Sequence, residues 1–380
     1  MKRRTLLTLL LLTFGIAADA QNDEGGNPYL AHIGRFGREP MEYMADKIRT
    51  YPVVALGEDH WVKDHPQFLC ELLAAMARDT TANIDVLALE FGNHADQRTV
   101  NELLASPEYR EDLAFKILQH APDIYGNPYK EYAEVFRTVW QTNRDKPEAY
   151  RTRILLLDPA YIQRHFDNEE YVYTCSRDDN MFSLIRDCIL QRRHVVFYAG
   201  TAHTQAQIRG VRDNDYYYNF PSAGYLLKKS YPRDVFIINL WGAYMGAGGY
   251  EPDDRTVWVE IAGGILDEAF RLNGNKPVAF DLGAAFPALT AAEYYGNPNG
   301  KSNWSDHPTD GSPYTRDLLM RDRCDGIVFI KPVAEFSGAH LIDIYDGDFL
   351  KRIEKRSEGE CKSAEQVFRQ LKEWHPILDY

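Results

Sequence analysis

Four short apolar segments, each closed by an ionisable residue, constrain the fold of this 380-residue chain more than any other feature. Apolar and β-branched runs of this length, bounded by glycine or charged residues, are typical of buried strands. Segments with helical spacing of apolar residues separate them, and this alternation predicts βαβ units. We therefore expect an α/β fold, with a central, mostly parallel sheet flanked by helices. The four segments are Pro52–Leu56, Ile84–Leu89, Arg153–Leu157 and His194–Ala199.

The residues that follow these segments predict one shared site. Parallel strands end at one edge of a sheet, and open α/β folds bind their ligands at that edge. Glu58 and His60 are two residues apart in an extended segment, so their side chains point to the same side. A carboxylate and an imidazole that face one pocket act as a base and its orienting partner, or as two metal ligands. The predicted catalytic residues are Glu58, His60, Glu90, Asp158 and His203.

The N-terminal segment has the pattern of a secretory leader. Basic residues at positions 2–4 precede an apolar stretch over residues 6–17, and Ala18-Asp19-Ala20 forms a cleavage pattern of small residues. The apolar stretch is too short to span a membrane. We therefore expect a signal peptide over residues 1–20 and an exported protein, periplasmic or extracellular, without a membrane span.

The rest of the chain predicts a single large domain. Residues 21–38 begin with a polar, glycine-rich stretch and are expected to form a flexible N-terminus. Residues 39–380 alternate between strand and helix patterns without a clear linker, which indicates one α/β domain. Residues from about 96 to 145 carry helical patterns without a strand and are predicted to form a helical insertion.

The charge balance excludes two classes of partner. Asp and Glu outnumber Lys and Arg by 56 to 43, and the formal net charge is −13. An acidic protein repels the phosphates of nucleic acids and of anionic membranes, so neither is expected as a partner. The expected partner is a small-molecule or envelope-derived substrate.

The five cysteines leave several roles open. None is spaced as Cys-x-x-Cys, so the sequence contains no zinc-ribbon or thioredoxin-like motif. Cys324 and Cys361 are one candidate disulfide pair in an exported protein. Cys175 precedes a predicted helix and is a candidate nucleophile, because a helix N-terminus favours the thiolate. Cys70 lies on the apolar face of a helical pattern and is predicted to be a core residue.

Three of the strand ends resemble the erythromycin esterase-like, ChaN and Tiki superfamily. Its members share a Gly-Glu-x-His or similar segment after the first strand, a Glu after the second and a Gly-x-x-His after a later one. The resemblance extends from about residue 40 to 335. Esterase-type members have one more residue between the Glu and the His, so the spacing here is closer to ChaN-like and Tiki-like proteins. The matching segments are Val53–His60, Leu87–Glu90 and Val196–His203, supported by Asp64, His65, Gln67, Asp158, Arg177-Asp178, Phe280–Leu282 and Cys324–Ile330.

Hydrolysis of an ester or a lactone is the first function that the resemblance implies. His60 would activate water as a general base, and Glu58 or Glu90 would orient its ring and support the imidazolium. A neighbouring carboxylate raises the pKa of a histidine toward the range useful near neutral pH. His203 would stabilise the oxyanion or protonate the leaving group, and Asp158 would hold His203 or line the floor of the site. Substrate contacts are expected at His65, Arg177 and Tyr198.

Two alternatives use the same residues differently. A Tiki-like metallopeptidase would bind Zn or Mn through His60, Glu90 and His203, and metal-bound water would be the nucleophile. A ChaN-like uptake protein would bind haem or iron without catalysis, with one of the 24 tyrosines as an axial ligand. The cofactor prediction therefore stays open between none, a divalent metal and haem.

Overall fold

A seven-stranded sheet forms the centre of the protein. The structure, a computed structural model, describes residues 26–378 except 80, 122, 161–174, 207, 214–215, 246–257, 290–318 and 376. The described strands are β1 (Val53–Glu58), β2 (Val86–Asn93), β3 (Arg153–Asp158), β4 (Val195–Gly200), β5 (Ile208–Asp213), β6 (Tyr216–Pro221), β7 (Val235–Leu240), β8 (Ala243–Met245), β9 (Trp258–Glu260), β10 (Val278–Asp281) and β11 (Gly326–Phe329).

The sheet is parallel except at one edge. Its strands run in the order β10-β11-β7-β1-β4-β2-β3. All neighbouring pairs are parallel apart from β10 and β11, which pair antiparallel. Two further pairs, β5 with β6 and β8 with β9, form separate two-stranded ribbons. This is the α/β fold with a mostly parallel sheet that the sequence predicted.

Helices pack on both faces of this sheet. Alternate strand residues belong to two hydrophobic clusters: Val54 and Leu56 point to one, Val53 and Ala55 to the other. Among the described helices, none is long and apolar enough to cross a membrane. The helices are α1 (Pro28–Phe36), α2 (Pro40–Thr50), α3 (Asp64–Arg78), α4 (Gln97–Ala105), α5 (Glu111–Gln119), α6 (Lys130–Arg144), α7 (Cys175–Leu190), α8 (Thr201–Thr204), α9 (Ala223–Ser230), α10 (Ile265–Leu272), α11 (Met320–Arg323), α12 (Gly347–Arg356) and α13 (Ala364–Trp374).

Three of these helices, α4, α5 and α6, lie between β2 and β3, in the stretch where the sequence predicted a helical insertion. The helix α6 packs against α3 and buries one face. Tyr132, Phe136 and Val139 lie on that face at helical spacing. The insertion is therefore anchored on the same side of the sheet as α3, directly over the end of β1.

The start of the described chain is ordered, which corrects one expectation. Asn27 caps α1, because its side chain accepts hydrogen bonds from the next two free backbone amides, and Pro28 opens the helix. Tyr29 and Ile33 are buried in the core. The flexible N-terminus predicted for residues 21–38 is therefore wrong from Pro28 onward. The predicted leader and residues 21–25 lie outside the described residues.

The candidate disulfide between Cys324 and Cys361 is also wrong, because both thiols are free. Cys324 belongs to the hydrophobic cluster on one face of the sheet and Cys361 to the cluster on the other. The sheet separates them, so no bond joins them. Cys70 packs against the core as predicted. The side chain of Cys175 lies outside the described residues.

Candidate functional site

The five residues predicted to be catalytic lie in one cluster at the carboxyl edge of the sheet. Glu58 ends β1, Asp158 ends β3, and Glu90 lies within β2. His60 follows β1, and His203 lies in the short helix α8 that begins directly after β4. His60 is the member of this group that is not buried. The contacts described below connect all five.

Glu58 anchors the ring of His60. Its Oε1 lies 3.0 Å from His60 Nδ1 and accepts a hydrogen bond from the Tyr132 hydroxyl at 2.5 Å. Its Oε2 accepts a second phenolic hydrogen bond, from Tyr198. Because Glu58 is buried, these donors replace the water that a carboxylate otherwise requires. Since a carboxylate only accepts, Nδ1 of His60 carries the proton, and Nε2 holds the lone pair when the ring is neutral.

The two phenols are fixed as donors. Burial and the negative charge of Glu58 raise the pKa of Tyr132 and Tyr198 well above 10. Both hydroxyls therefore keep their protons at any pH at which the protein works. The pair holds the Glu58 carboxylate in one orientation, and Glu58 in turn fixes the plane of the His60 ring.

His60 is the most exposed ionisable group of the cluster. Its side chain is 37% exposed, whereas that of Glu90 is 7% exposed. Its Nε2 lies 3.8 Å from Glu90 Oε2, which is too far for a hydrogen bond. Desolvation by the surrounding protein opposes the charged ring. The Glu90 charge and the Glu58 hydrogen bond outweigh this effect and raise the pKa of His60 to about 9.

Arg177 links two of the strand-end carboxylates. It donates to Glu90 Oε1 through Nη2 at 2.7 Å and to Asp158 Oδ1 through Nε at 2.7 Å. Burial raises the pKa of Asp158 to about 6, although the Arg177 charge acts in the opposite direction. Burial also disfavours ionised Glu90, but His203, His60 and Arg177 hold its pKa well below 4.5. The guanidinium is therefore the fixed positive centre between two buried carboxylates.

His203 has a carboxylate at each ring nitrogen. Its Nδ1 lies 2.8 Å from Asp178 Oδ1 and its Nε2 lies 3.2 Å from Glu90 Oε1. Burial works against the charged ring, but the two carboxylates raise the pKa of His203 above its usual value. Both nitrogens are occupied and the side chain is buried. Neither ring nitrogen of His203 is therefore directed to the solvent in this geometry.

The three expected substrate contacts have different positions. His65 is fully buried; its Nδ1 accepts a hydrogen bond from the Asp59 amide at 2.9 Å, and burial lowers its pKa to about 4. Tyr198 is fully buried and donates to Glu58. Both rings are enclosed by the protein, so the burial does not support a direct substrate contact at either position. The side chain of Arg177 is 17% exposed and is the most accessible of the three.

Two residues of the cluster were not assigned a role from the sequence. Tyr132 belongs to the helical insertion, far from any strand end, and no local pattern marks it. Asp178 was matched as part of Arg177-Asp178, and the structure pairs it with His203 and with the Ala223 amide at 2.8 Å. Its position one residue after Arg177 was the available signal.

Gly200 provides the space in which the His60 ring lies. A Cβ atom on Gly200 would be 2.8 Å from His60 Nε2 and 2.9 Å from Cε1. Its φ of −54° and ψ of 145° suit any residue, so the need for glycine comes from the ring and not from the backbone. The Gly200 amide also donates to Glu90 Oε2 at 2.7 Å.

Replacing Gly200 with alanine is therefore expected to move the imidazole while keeping the amide donor. A displacement of about 1 Å costs roughly 100-fold in rate. For a reaction in which His60 takes part, we expect a loss of that order in kcat/KM with little change in the melting temperature. Gly34→Ala is the matched control, since a Cβ there meets nothing within 4 Å. Equal activity in both variants would contradict this role of Gly200.

The donor set does not fit a divalent metal. Glu90 Oε1 is shared by Arg177 and His203, and Glu90 Oε2 accepts from Gly200. His203 has no free nitrogen, and the Arg177 guanidinium supplies the positive charge that a metal would bring. Within the described part of the chain, no group of three or more His, Cys, Asp and Glu side chains could hold a metal ion. The alternative set of His60, Glu90 and His203 is thus corrected, and we derive no step through a metal.

The two phenols of the cluster do not fit haem ligation either. An axial tyrosine binds iron as a phenolate, but Tyr132 and Tyr198 are buried donors to Glu58. Their raised pKa values oppose deprotonation. Among the described residues of this cluster, no other tyrosine hydroxyl contacts Glu58 or His60. We therefore derive no step through haem.

Solved structures with a similar fold include two of the groups named by the sequence resemblance. A mutant of the erythromycin esterase EreC is 10% identical with a TM-score of 0.46, over 76% of this chain and 92% of that one. ChaN of Campylobacter jejuni, described with cofacially bound heme, is 13% identical with a TM-score of 0.34, over 54% and 86%. A succinoglycan biosynthesis protein is 11% identical with a TM-score of 0.48, over 82% and 97%.

These likenesses concern the fold alone. An erythromycin esterase and ChaN are among the proteins whose fold is similar to this one. No protein-family model matches the chain, and no curated protein matches it significantly.

Proposed function

We propose that the chain is an exported hydrolase of esters or lactones in which His60 activates water. The observation that supports this most is the Glu58–His60 pair. A buried carboxylate fixes Nδ1 at 3.0 Å, and Nε2 makes no hydrogen bond within the described residues. A carboxylate that orients a histidine in this way is the arrangement by which hydrolases obtain a general base. Export would be tested by the mass of the secreted chain, which should begin at Gln21.

In the proposed reaction, Nε2 of His60 takes a proton from water as the water oxygen attacks the acyl carbon. Glu58, which contacts Nδ1, stabilises the imidazolium. The former carbonyl oxygen becomes negative, and the nearby Arg177 cation favours that charge. When the tetrahedral intermediate collapses, the bond to the alcohol oxygen breaks and the imidazolium returns its proton to that oxygen. The products are a carboxylic acid and an alcohol.

The remaining groups support this centre without touching the reacting atoms. His203 and Asp158 hold Glu90 and Arg177, and Tyr132 and Tyr198 hold Glu58. The buried ion pairs keep the cationic and anionic groups at fixed distances. Such preorganised charge requires no rearrangement during the reaction.

A hydrolysis screen tests the proposal. Aryl esters, alkyl esters, small lactones and macrocyclic lactones would be offered to the purified protein, and proton release would be recorded at constant pH. We expect turnover that resists a chelator in a sample without a Soret band. Turnover that a chelator abolishes would overturn the metal-free mechanism, and stoichiometric haem binding without turnover would overturn the hydrolase assignment.

The pH dependence of the rate follows from the raised pKa of His60. A general base works in its neutral form, and a pKa of about 9 leaves that form in the minority at neutral pH. We therefore expect kcat/KM to rise about tenfold per pH unit below pH 8 and to level off near pH 9. Glu58→Gln removes a charge that raises this pKa, so the same rise should occur at lower pH. A rate that instead falls as pH passes 9 would give His60 the role of an acid.

A further inference from the structure

The residue directly after His60 has an unusual backbone conformation. Trp61 has a φ of 66°, in the left-handed region that bulky side chains rarely adopt. Such a conformation persists only where the surroundings hold it, and it is most frequent at functional sites. Here it turns the chain between β1 and α3, next to the point where the His60 ring lies over Gly200.

The indole of Trp61 is held on two sides. Its Nε1 donates to the Tyr129 hydroxyl at 3.1 Å. The ring of His375, which directly follows α13, stacks on it with centroids 3.7 Å apart and planes at 19°. The edge of the His60 ring lies on a third side, at 5.7 Å between centroids. The Trp61 side chain therefore links the C-terminal segment to the proposed base.

The backbone around Trp61 is tied to the same C-terminal part of the chain. The Trp61 carbonyl accepts from the Ala339 amide at 2.7 Å, and Val62 pairs with Gly338. A Cβ on Gly338 would lie 1.8 Å from the Ile377 carbonyl oxygen, so the segment after α13 packs closely against this bridge. The conformation of the loop and the position of His375 are thus set together.

We propose that Trp61 and His375 are positioning residues for His60, and that their stacked rings hold the loop after β1 in the turn that brings the imidazole over Gly200. The role in catalysis rests on the proposed function, whereas the effect on the position of the ring does not. Burial lowers the pKa of His375 to about 4, with the His60 charge acting in the same direction. His375 is therefore neutral, and it acts through its ring rather than through a charge.

Two substitutions of His375 distinguish a positioning role from general packing. Phenylalanine keeps a flat ring at position 375, and alanine removes it. We expect His375→Ala to lower kcat about 10- to 100-fold with little change in KM, and His375→Phe to restore most of the rate. Trp374→Ala is the matched control, because that neighbouring ring contacts Tyr125 and not Trp61.

Two substitutions of Trp61 distinguish the role of its indole from the role of its backbone conformation. Glycine adopts the left-handed conformation without strain, whereas alanine adopts it at a cost, and both lack the indole. If the stack holds His60, Trp61→Gly and Trp61→Ala lose activity to a similar extent. Wild-type activity in Trp61→Gly would overturn the proposal, since the backbone turn alone would then be sufficient.

The position of His60 is read independently of turnover by the NMR titration of its Cε1 proton. The charged and titratable groups that face its ring are Glu58, Glu90, Tyr132, Arg177 and His375. In His375→Ala, we expect the His60 ring to move away from Glu58 and Glu90, so the pKa of His60 should fall below the wild-type value. In His375→Phe, the pKa of His60 should equal the wild-type value. An unchanged His60 titration in a folded His375→Ala protein would overturn the proposal. The titration does not require that the protein hydrolyses an ester. Failure of this proposal can therefore be distinguished from failure of the proposed function.

Discussion

Replacing His60 with glutamine is expected to lower kcat by about 10²–10⁴-fold, which is the usual contribution of a general base. Glutamine has a similar reach and polarity but cannot accept a proton from water. His60 is partly exposed, and its Nδ1 contacts Glu58 at 3.0 Å and the Tyr132 hydroxyl at 3.5 Å, so its loss leaves few buried contacts broken. The fold should therefore persist. The measurements are kcat on the best substrate, the circular dichroism spectrum and the melting temperature.

A matched control for this variant exists elsewhere in the chain. His340 has a side chain that is 34% exposed and an Nδ1 that lies 2.6 Å from a buried glutamate, Glu131. His340→Gln thus removes the same kind of pair at a similar exposure. It should retain wild-type activity. Full turnover in a folded His60→Gln protein would rule out the proposed base.

Replacing Arg177 with methionine is expected to lower the free energy of unfolding by about 3–5 kcal/mol. The guanidinium is the cation that lies between Glu90 and Asp158, with hydrogen bonds of 2.7 Å to each. Methionine preserves much of the side-chain volume, but it leaves both buried carboxylates without this donor. The change in free energy is measured by urea denaturation at neutral pH.

Two variants test whether the buried carboxylates cause the loss. Arg271 also contacts two carboxylates, Glu260 at 2.7 Å and Glu268 at 2.9 Å, but its side chain is 48% exposed. Arg271→Met should cost less than about 1 kcal/mol, because solvent screens exposed pairs. Adding Glu90→Gln to Arg177→Met should recover part of the lost stability. A similar loss of unfolding free energy in Arg177→Met and Arg271→Met would show that burial of the carboxylates does not cause the loss.

The sheet and the cluster of strand-end residues were predictable because their signals are local. An apolar run such as Val53–Leu56 predicts a strand without knowledge of its neighbours. Parallel strands then place Glu58, Glu90 and Asp158 at the same edge of the sheet. The order itself, with β1 between β4 and β7, depends on how helices pack over the crossovers.

The pairings within the cluster were not predictable, because they depend on contacts between segments that are far apart in the chain. Tyr132 reaches Glu58 because α6 packs against α3, and that packing depends on side chains far apart in the chain. His65 looked like part of the site because it follows His60 closely, but the first turn of α3 directs it into the core. The stack of Trp61 on His375 joins segments near opposite ends of the described chain. Sequence spacing contains no information on such contacts.

The hydrogen bond from the Tyr132 hydroxyl to Glu58 limits which segments of related proteins could replace the helical insertion. Residues between β2 and β3 look like an interchangeable module, since they form helices outside the sheet. A chimera that exchanges this module would keep all the partners of Glu58 only if the new helix also brings a hydrogen-bond donor to the same carboxylate. Without that donor, a buried charge loses one of its partners and the orientation of His60 changes with it. The sequence of the helical insertion is therefore constrained by the position of His60.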